Sequence, residues 1–163
     1  MKLNIQLDRI LAELKRGEKI IIYDNFTQTS VLFSSAELIK AETLEEHKLI
    51  CSSFPSIILS ANRCNALGFN TKENCSCSIG TDWTQDDILS LAFDKKENFK
   101  LKIHDLISET SKISKYCLML LKKAKLLPTG IVTLISDVDI NNINSWAVEK
   151  NLICIDINHL ELL

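Results

Sequence analysis

Two short patterns contain side chains that could do chemistry, Cys75-Ser76-Cys77 and His104-Asp105. A Cys-x-Cys pair can hold a soft metal ion, although no second pair and no histidine lies nearby in sequence to complete a tetrahedral site. A carboxylate next to a histidine can tune the histidine pKa, so His104 is a candidate proton-transfer group. The alternatives are reduced structural thiols for the cysteines and a surface or partly buried, hydrogen-bonded ring for His104.

The remaining cysteines and histidines are predicted to be structural. The chain has six cysteines, and Cys51, Cys117 and Cys154 fall in segments with apolar periodicity, where a free cysteine packs as a small hydrophobic side chain. Disulfide frameworks belong to short secreted chains, so we expect reduced thiols. We expect His47 to be a half-exposed helix residue and His159 to be a structural residue near the end of the chain.

The composition indicates a globular protein and argues against several partners. The chain has 163 residues, of which 46% are hydrophobic, with few glycines and prolines. The formal net charge of -2 gives no basic footprint for nucleic acid. No apolar run approaches the roughly 18 residues that a membrane-spanning helix needs. The first 19 residues are typical of an amphipathic helix and not of a signal peptide, so we expect a cytoplasmic protein with neither nucleic-acid nor membrane partners.

Hydrophobic periodicity predicts alternating helices and strands. Helices are expected at residues 3–14, which Gly17 follows as a stop signal, and at residues 61–67, 84–93, 111–125, 139–150 and, as a short helix or tail, 157–163. Strands are expected at residues 20–23, 56–60, 131–135 and 152–156. The alternation indicates a single α/β (α+β) domain over residues 1–163, in which helices flank a mixed or largely parallel sheet.

Three further predictions depend on local signals. Ser34 or Ser35 has the residue type of a helix N-cap, which predicts a second helix that continues or restarts through residues 43–50. The polar stretch 70–80 is predicted to be a loop. Thr84 is predicted to cap the helix that follows it.

Several segments resemble one enzyme family. The run IIIYDNFTQTSVLFSSAELIKAETLEEHKLICSSFPSIILSANRCNAL (20–67) and the segment KAKLLPTGIVTLIS (123–136) resemble 3,4-dihydroxy-2-butanone 4-phosphate synthase. LPTGI (127–131) is similar to the family's x-Pro-Ala-Gly-Val, and GTDWTQDDI (80–88) to its Gly-x-Ser-Ala-x-Asp-Arg helix start. The family converts ribulose 5-phosphate to dihydroxybutanone phosphate and formate in riboflavin biosynthesis. The resemblance implies the family's fold, and it implies a homodimer because the family's active sites resemble ones built at a dimer interface.

The family's sites of chemistry carry different residues in this chain. The family's Arg-Glu-Asn-Glu-Gly-Asp loop binds magnesium and transfers protons, whereas the matching segment here, FTQTSV (26–31), has no carboxylate, base or cation. Ile113 stands where the family's catalytic histidine is expected, and Leu134 where its catalytic glutamate is expected. Enolising a sugar phosphate needs a positioned base and an electrophile such as magnesium held by carboxylates. The resemblance therefore implies a synthase-like protein without the family's acid-base and metal-binding set.

Candidate site residues follow from the same resemblance. The candidates for substitute catalytic groups are Asp24, Glu37 and His104. The candidates for hydrogen bonds to a substrate are Thr27, Thr29, Thr84, Asp86 and Ser114. No cofactor is expected unless the family activity is retained, which would require magnesium, and the candidates for any other metal are Cys75 and Cys77.

Three functions from different classes are compatible with these residues. The first is a degenerate, non-catalytic relative of the synthase that acts as a dimeric or partner-binding scaffold. The second is an active or altered lyase that still uses a sugar phosphate. The third is a thiol or metal-binding module at Cys75 and Cys77. Convergence of three charged residues on one cleft would favour the lyase, and the residues to compare are Asp24, Glu37, Asp86, Lys100 and His104.

Overall fold

The structure is a computed structural model that describes residues 2–93 and 106–161. In this part of the chain the elements are, in order, α1 (Lys2–Lys15), β1 (Ile20–Asp24), β2 (Thr29–Ser35), α2 (Thr43–Cys51), β3 (Ser56–Leu59), α3 (Ala61–Ala66), β4 (Cys75–Ser78), α4 (Gln85–Phe93), β5 (Ile107–Ser108), α5 (Lys112–Lys123), β6 (Thr129–Leu134), a 3-10 helix (Ile140–Asn142), α6 (Ile143–Glu149), β7 (Cys154–Asp156) and α7 (Ile157–Leu160).

The strands form one mixed sheet in the order β5-β4-β3-β6-β2-β1-β7. β1 and β7 are parallel, whereas the other neighbouring pairs are antiparallel. The prediction of a mixed sheet flanked by helices is confirmed, and its alternative of a largely parallel sheet is wrong. The short connection at residues 25–28 explains part of the difference, because a four-residue turn can join only antiparallel neighbours.

Helices cover both faces of the sheet. On one face, α1, α5 and α7 pack over a core that includes Ile22, Phe33 and Ile155. On the other face, α2, α3, α4 and α6 pack over cores that include Ile21 and Ile57. The adjacent residues Ile21 and Ile22 serve opposite cores because side chains alternate along a strand. Among residues 2–93 and 106–161, no helix is both long enough and apolar enough to cross a lipid bilayer.

Turn and cap residues set two boundaries as the sequence predicted. α1 is followed by Gly17 at φ +76°, where a Cβ atom would lie 2.8 Å from the Leu38 carbonyl oxygen, so only glycine fits without strain. Before α4, the Thr84 hydroxyl accepts a hydrogen bond from the Asp87 N–H at 3.2 Å, and the Asp87 carboxylate accepts one from the Thr84 N–H at 2.8 Å. This reciprocal pair is a capping box built with aspartate.

The prediction that Ser34 or Ser35 caps a helix is wrong. Both residues belong to β2, and the second helix begins only at Thr43. β2 lies between β1 and β6 with helices on both faces, so it is buried along nearly its whole length and shows no polar alternation. Ser35 does act as a local acceptor, since its hydroxyl receives the Leu38 N–H at 3.3 Å in the turn after the strand.

The predicted loop at 70–80 contains the strand β4, so that prediction is wrong over its second half. β4 pairs with β3 and β5, and its sequence CSCS alternates between the two faces of the sheet. Cys75 and Cys77 point into the face covered by α3 and α4. A polar-looking segment can form a strand in this way because cysteine is a small hydrophobic residue in a core.

β6, at the centre of the sheet, contains a glycine in close contact with a phenylalanine ring and, next to it, a buried threonine hydroxyl. A Cβ atom on Gly130 of β6 would lie 2.3 Å from Cε1 of the Phe33 ring, so this glycine permits the ring to pack over β6. The preceding residue, Thr129, is fully buried. Within the described residues, the Thr129 hydroxyl has no hydrogen-bond partner.

Candidate functional site

The turn between β1 and β2 is organised by Asp24, the last residue of β1. Asp24 Oδ1 accepts the backbone N–H of Phe26 at 2.9 Å, a bond that folds the chain back two residues after the aspartate. Gln28 completes the turn at φ +57°, and its side-chain amide donates to the Asn25 carbonyl oxygen at 2.7 Å. The turn at residues 25–28 is therefore short and held by its own side chains.

Three further side chains surround the Asp24 carboxylate. The Thr27 hydroxyl donates to Asp24 Oδ2 at 3.0 Å, and the Thr29 hydroxyl oxygen lies 3.1 Å from that of Thr27. From α7, Asn158 Nδ2 donates to Asp24 Oδ1 at 3.2 Å and to Asp156 Oδ1 at 2.8 Å. We refer to Asp24, Thr27, Thr29 and Asn158 as the Asp24 cluster.

The hydrogen bonds of the Asp24 cluster keep Asp24 ionised. Burial is the largest single influence and raises the pKa of this carboxyl group, which is 2% exposed. The hydrogen bonds from Phe26, Asn158 and Thr27 outweigh burial, so the pKa of Asp24 ends below its ordinary value. A carboxylate with a lowered pKa is a poor proton acceptor near neutral pH. Asp24 is therefore an acceptor of hydrogen bonds and not a poised base.

The start of α5 lies beside the Asp24 cluster. Lys112 forms a hydrogen-bonded ion pair with Glu161, which follows α7. This hydrogen bond raises the pKa of Lys112, and weaker attraction to other charges, including Asp24, raises it further. Ser114 is buried and lies 3.0 Å from the Ser111 hydroxyl, which caps α5. Ser114 thus contributes to the helix start, with its hydroxyl engaged inside the protein.

A surface cleft of about 560 Å³ opens next to the Asp24 cluster and is lined by Asn25, Phe26, Asp156 and Asn158. Phe26 stands at its edge with 90% of its surface exposed. Asn158 and Asp156 were missed as site residues by sequence reasoning. The Asp-Ile-Asn order at residues 156–158 is a sequence signal that could have found them, because an aspartate commonly caps a helix by accepting the backbone N–H two residues further on. Asp156 does cap α7, and it accepts the Asn158 N–H at 3.0 Å. The cleft offers amides and carboxylates to a polar ligand.

The other described candidates lie at the opposite end of the sheet. Glu37 follows β2, about 20 Å of strand away from Asp24, and its carboxylate accepts the Leu127 N–H at 2.9 Å. Asp86 is exposed in the first turn of α4, and Gln85 beside it donates to the Ile39 carbonyl oxygen at 3.0 Å. Thr84 is occupied by the capping box. These candidate residues therefore do not converge on one cleft with Asp24, while Lys100 and His104 lie outside the described residues.

Cys75 and Cys77 are buried in β4, and Cys64 of α3 lies against Cys75. The Cys75 thiol donates to the Glu73 carbonyl oxygen at 3.4 Å. Burial, reinforced by the neighbouring Cys75, raises the pKa of Cys64 to about 12, so this thiol remains protonated at neutral pH. Within residues 2–93 and 106–161, no group of three or more His, Cys, Asp or Glu side chains could hold a metal ion.

His47 is fully buried, so the prediction of a half-exposed residue is wrong. Its Nε2 lies 2.8 Å from the Ser34 hydroxyl of β2, and its Nδ1 lies 2.8 Å from the Thr133 hydroxyl of β6. Burial, with a smaller effect of the Lys19 charge, lowers the pKa of His47 to about 3. A serine next to a histidine is the arrangement of an activated nucleophile, but a site sealed from substrate cannot use it. The three side chains instead join α2 to the sheet.

Comparisons with known proteins define the class of fold. No protein-family model and no curated protein sequence matches the chain. Solved structures do match it over 94% of its length: RibBX, a two-domain 3,4-dihydroxy-2-butanone 4-phosphate synthase from A. baumannii (13% identity, TM-score 0.71), the synthase of Candida albicans (21%, 0.67) and a synthase in complex with two magnesium ions (13%, 0.69). The match covers 94% of each of the latter two chains and 56% of the two-domain chain.

The fold is that of 3,4-dihydroxy-2-butanone 4-phosphate synthase, as the sequence resemblance predicted. The chain spans little more than half the length of the two-domain synthase. At 13% and 21% identity these likenesses establish the fold, and the reaction has to be argued from the side chains.

Proposed function

We propose that this chain is a non-catalytic, cytoplasmic relative of 3,4-dihydroxy-2-butanone 4-phosphate synthase. In this proposal it acts as a homodimeric or partner-binding scaffold, and it retains a polar cleft for a small ligand such as a sugar phosphate. The observation that carries the proposal is the state of Asp24. Its carboxylate is buried, its pKa is lowered, and both of its oxygens already accept hydrogen bonds from the turn and from α7. It supports the turn and is not free to take a proton from a sugar.

The donor atoms around Asp24 do not fit the magnesium that the fold family uses. Magnesium demands near-octahedral oxygen ligands and is usually held by one or two carboxylates that are free to bind it. Asp156 Oδ1 receives both the backbone N–H and the side-chain amide of Asn158. The hydroxyls of Thr27 and Thr29 are neutral, and the Thr27 hydroxyl already donates a hydrogen bond to Asp24. Because both oxygens of Asp24 and one of Asp156 already accept hydrogen bonds and no poised base is present among them, the enediolate of a ketose phosphate would lack a proton acceptor and a well-held electrophile.

The test is formate release from ribulose 5-phosphate with magnesium at high protein concentration, in a sample shown to be folded by circular dichroism. We expect a rate equal to that of a no-protein control, while an active synthase in the same buffer serves as the positive control. A magnesium-dependent rate well above background would overturn the proposal.

One observation favours the alternative, an active or altered lyase of riboflavin biosynthesis. Asn158 donates to the carboxylates of both Asp24 and Asp156, and Asn158 and Asp156 line one cleft, so two acidic groups lie close together for acid-base chemistry. If the formate assay gives a rate, the Asp24→Asn variant should abolish it, because the variant removes one of these two carboxylates. The exposed Asp8→Asn variant on α1 is the matched control and should leave the rate unchanged.

Self-association is supported by exposed apolar side chains at the cleft end of the sheet. Phe26 is 90% exposed in the β1–β2 turn, and Leu134, paired with Val31 of β2, is 50% exposed. Large exposed apolar side chains that share one end of a protein often mark an interface. Sedimentation velocity should show a dimer that Phe26→Ser weakens and that Phe93→Ser, at the exposed phenylalanine that ends α4, does not. A monomer at tens of micromolar would refute the dimer.

A further inference from the structure

A second groove lies on the other face of the molecule, between the end of α2 and α6. Its volume is about 560 Å³. Its apolar part comes from Leu49 and Ile50 of α2, Val138 of the loop after β6, and Trp146 of α6. Leu49 is 73% exposed, because α2 turns Thr43, His47 and Cys51 towards the sheet and leaves Leu49 outside. A leucine and a tryptophan that share an open groove form an apolar surface of the kind that proteins use for partners.

Carboxylates surround this apolar surface. Asp137, Asp139 and Glu149 are exposed at the groove, and among the residues that the structure describes Lys150 is the one cation that lines it. Asp139 uses one oxygen to cap the 3-10 helix by accepting the Asn141 N–H at 2.9 Å. Asp137 and Glu149 form no ion pair with any residue that the structure describes. The local charge of this rim is therefore negative, and its carboxylates can accept hydrogen bonds from a cation.

The position of Lys150 shows how a cation would sit in the groove. Its ammonium lies 5.9 Å from the centre of the Trp146 ring, over the ring face. Because cation–π attraction is at least as favourable for guanidinium groups, an incoming arginine could take the same place on Trp146. The groove thus combines an apolar floor, an aromatic face and unpaired carboxylates.

We propose that the groove between α2 and α6 binds a short basic segment of another protein, with lysine or arginine on both sides of a large apolar residue. The apolar residue packs against Leu49 and Val138, while the flanking cations meet Asp137, Glu149 and the face of Trp146. Charge selects this partner, since the carboxylates would repel nucleic acid and anionic membranes alike. This inference does not depend on whether the Asp24 cluster is catalytic.

Synthetic peptides of about 12 residues test the proposal. One set carries arginine and lysine around Leu-x-x-Phe, and a matched set replaces each cation with glutamate. Titration calorimetry, followed in parallel by tryptophan fluorescence, to which Trp146 in the groove contributes together with the buried Trp83, should show saturable one-to-one binding for the basic set alone. We expect affinity to fall at least tenfold in an Asp137→Asn/Glu149→Gln double variant and by a similar factor when salt is raised from 50 to 300 mM.

The matched control is an Asp8→Asn/Asp86→Asn double variant, which makes the same change in charge at exposed carboxylates outside the groove. It should keep wild-type affinity. A Leu49→Ser variant should also weaken binding, because it removes apolar contact without changing charge. The proposal is overturned if no basic peptide binds, if acidic peptides bind equally, or if the two double variants behave alike. It is overturned as well if the groove variant abolishes self-association instead, which would assign the groove to a second copy of this chain.

Discussion

Acid should destabilise this protein through the buried ring of His47. The folded protein holds this ring neutral, with a pKa of about 3, whereas the unfolded chain exposes it with a pKa near 6.5. Between these values the unfolded state binds a proton that the folded state does not. Stability from this residue is therefore complete above pH 6.5 and is lost as the pH falls towards 3.

The size of the effect follows from the pKa difference. Each pH unit below 6.5 removes about 1.4 kcal/mol, so the loss is about 2.7 kcal/mol at pH 4.5. That is a large part of the roughly 5–15 kcal/mol by which a domain of this size is stable. The hydrogen bonds to Ser34 and Thr133 do not oppose protonation, because both hydroxyls can accept from the ring. Burial supplies most of the penalty, and the Lys19 charge adds a smaller part.

Urea unfolding of the wild type and of His47→Gln between pH 7.5 and 4.5 measures the effect. At pH 7.5 the variant should be less stable by about 1–3 kcal/mol, because glutamine cannot satisfy both buried hydroxyls as well. Relative to the variant, the wild type should lose about 2.7 kcal/mol by pH 4.5, since the variant has no ring to protonate, so the difference falls to about zero or changes sign. Carboxylate titrations are common to both proteins and cancel. The control is Asn62→Ala at an exposed residue of α3 that does not titrate, and its wild-type-minus-variant difference should not change with pH.

A wild-type-minus-variant difference that stays constant with pH would refute this reasoning. If His47→Gln does not fold, NMR titration of the histidine ring protons in the wild type replaces it. A His47 resonance that titrates near pH 6 in the folded protein would lead to the same rejection.

Three other substitutions test features of the sheet. Thr129→Val should leave the free energy of unfolding in urea unchanged or raise it by up to about 1 kcal/mol, because it removes a buried hydroxyl without a described partner. A loss above about 1 kcal/mol would mean that this hydroxyl forms a hydrogen bond. Gly130→Ala should lower the melting temperature, with a cost of about 1–3 kcal/mol, because its Cβ would meet the Phe33 ring, and an unchanged melting temperature would contradict the packing. Asp24→Asn should lower the free energy of unfolding by about 1–3 kcal/mol at pH 7. It should also remove the part of the acid-induced loss of stability that occurs as the pH drops through the lowered pKa of Asp24. An unchanged acid profile would show that the carboxylate is not stabilised by its hydrogen bonds.

The sequence predicts strands and helices where local signals agree with burial. The three β-branched isoleucines Ile20–Ile22 and the aromatic Tyr23 lie in β1, and Gly17 follows the end of α1 as expected. β2 could not be predicted in this way, because it is a central strand buried on both faces and its serines resemble a cap. The two-residue strand β5 exists through its pairing with β4, and so few residues carry no periodic signal.

The residues of the sites were harder to predict because they come together only on folding. Asp24, Thr27 and Thr29 are neighbours in sequence, so the resemblance to the synthase was enough to select them. Asn158 reaches Asp24 from 134 positions away. His47 stands between two charged residues, which is typical of an exposed site, yet it is buried by partners 13 and 86 positions distant. No local pattern records such contacts.

The strand order also determines when the sheet can be assembled during synthesis. β1 can pair with β2, and β3 with β4, as soon as each pair has left the ribosome, but in the described sheet no strand joins the two pairs until β6 is made. β6 then inserts between β2 and β3, which are roughly 95 and 70 residues earlier in the chain. Until that point the inner edges of β2 and β3 present unpaired backbone groups to any other chain. A nascent chain of this topology therefore depends on protection of those two edges for most of its translation.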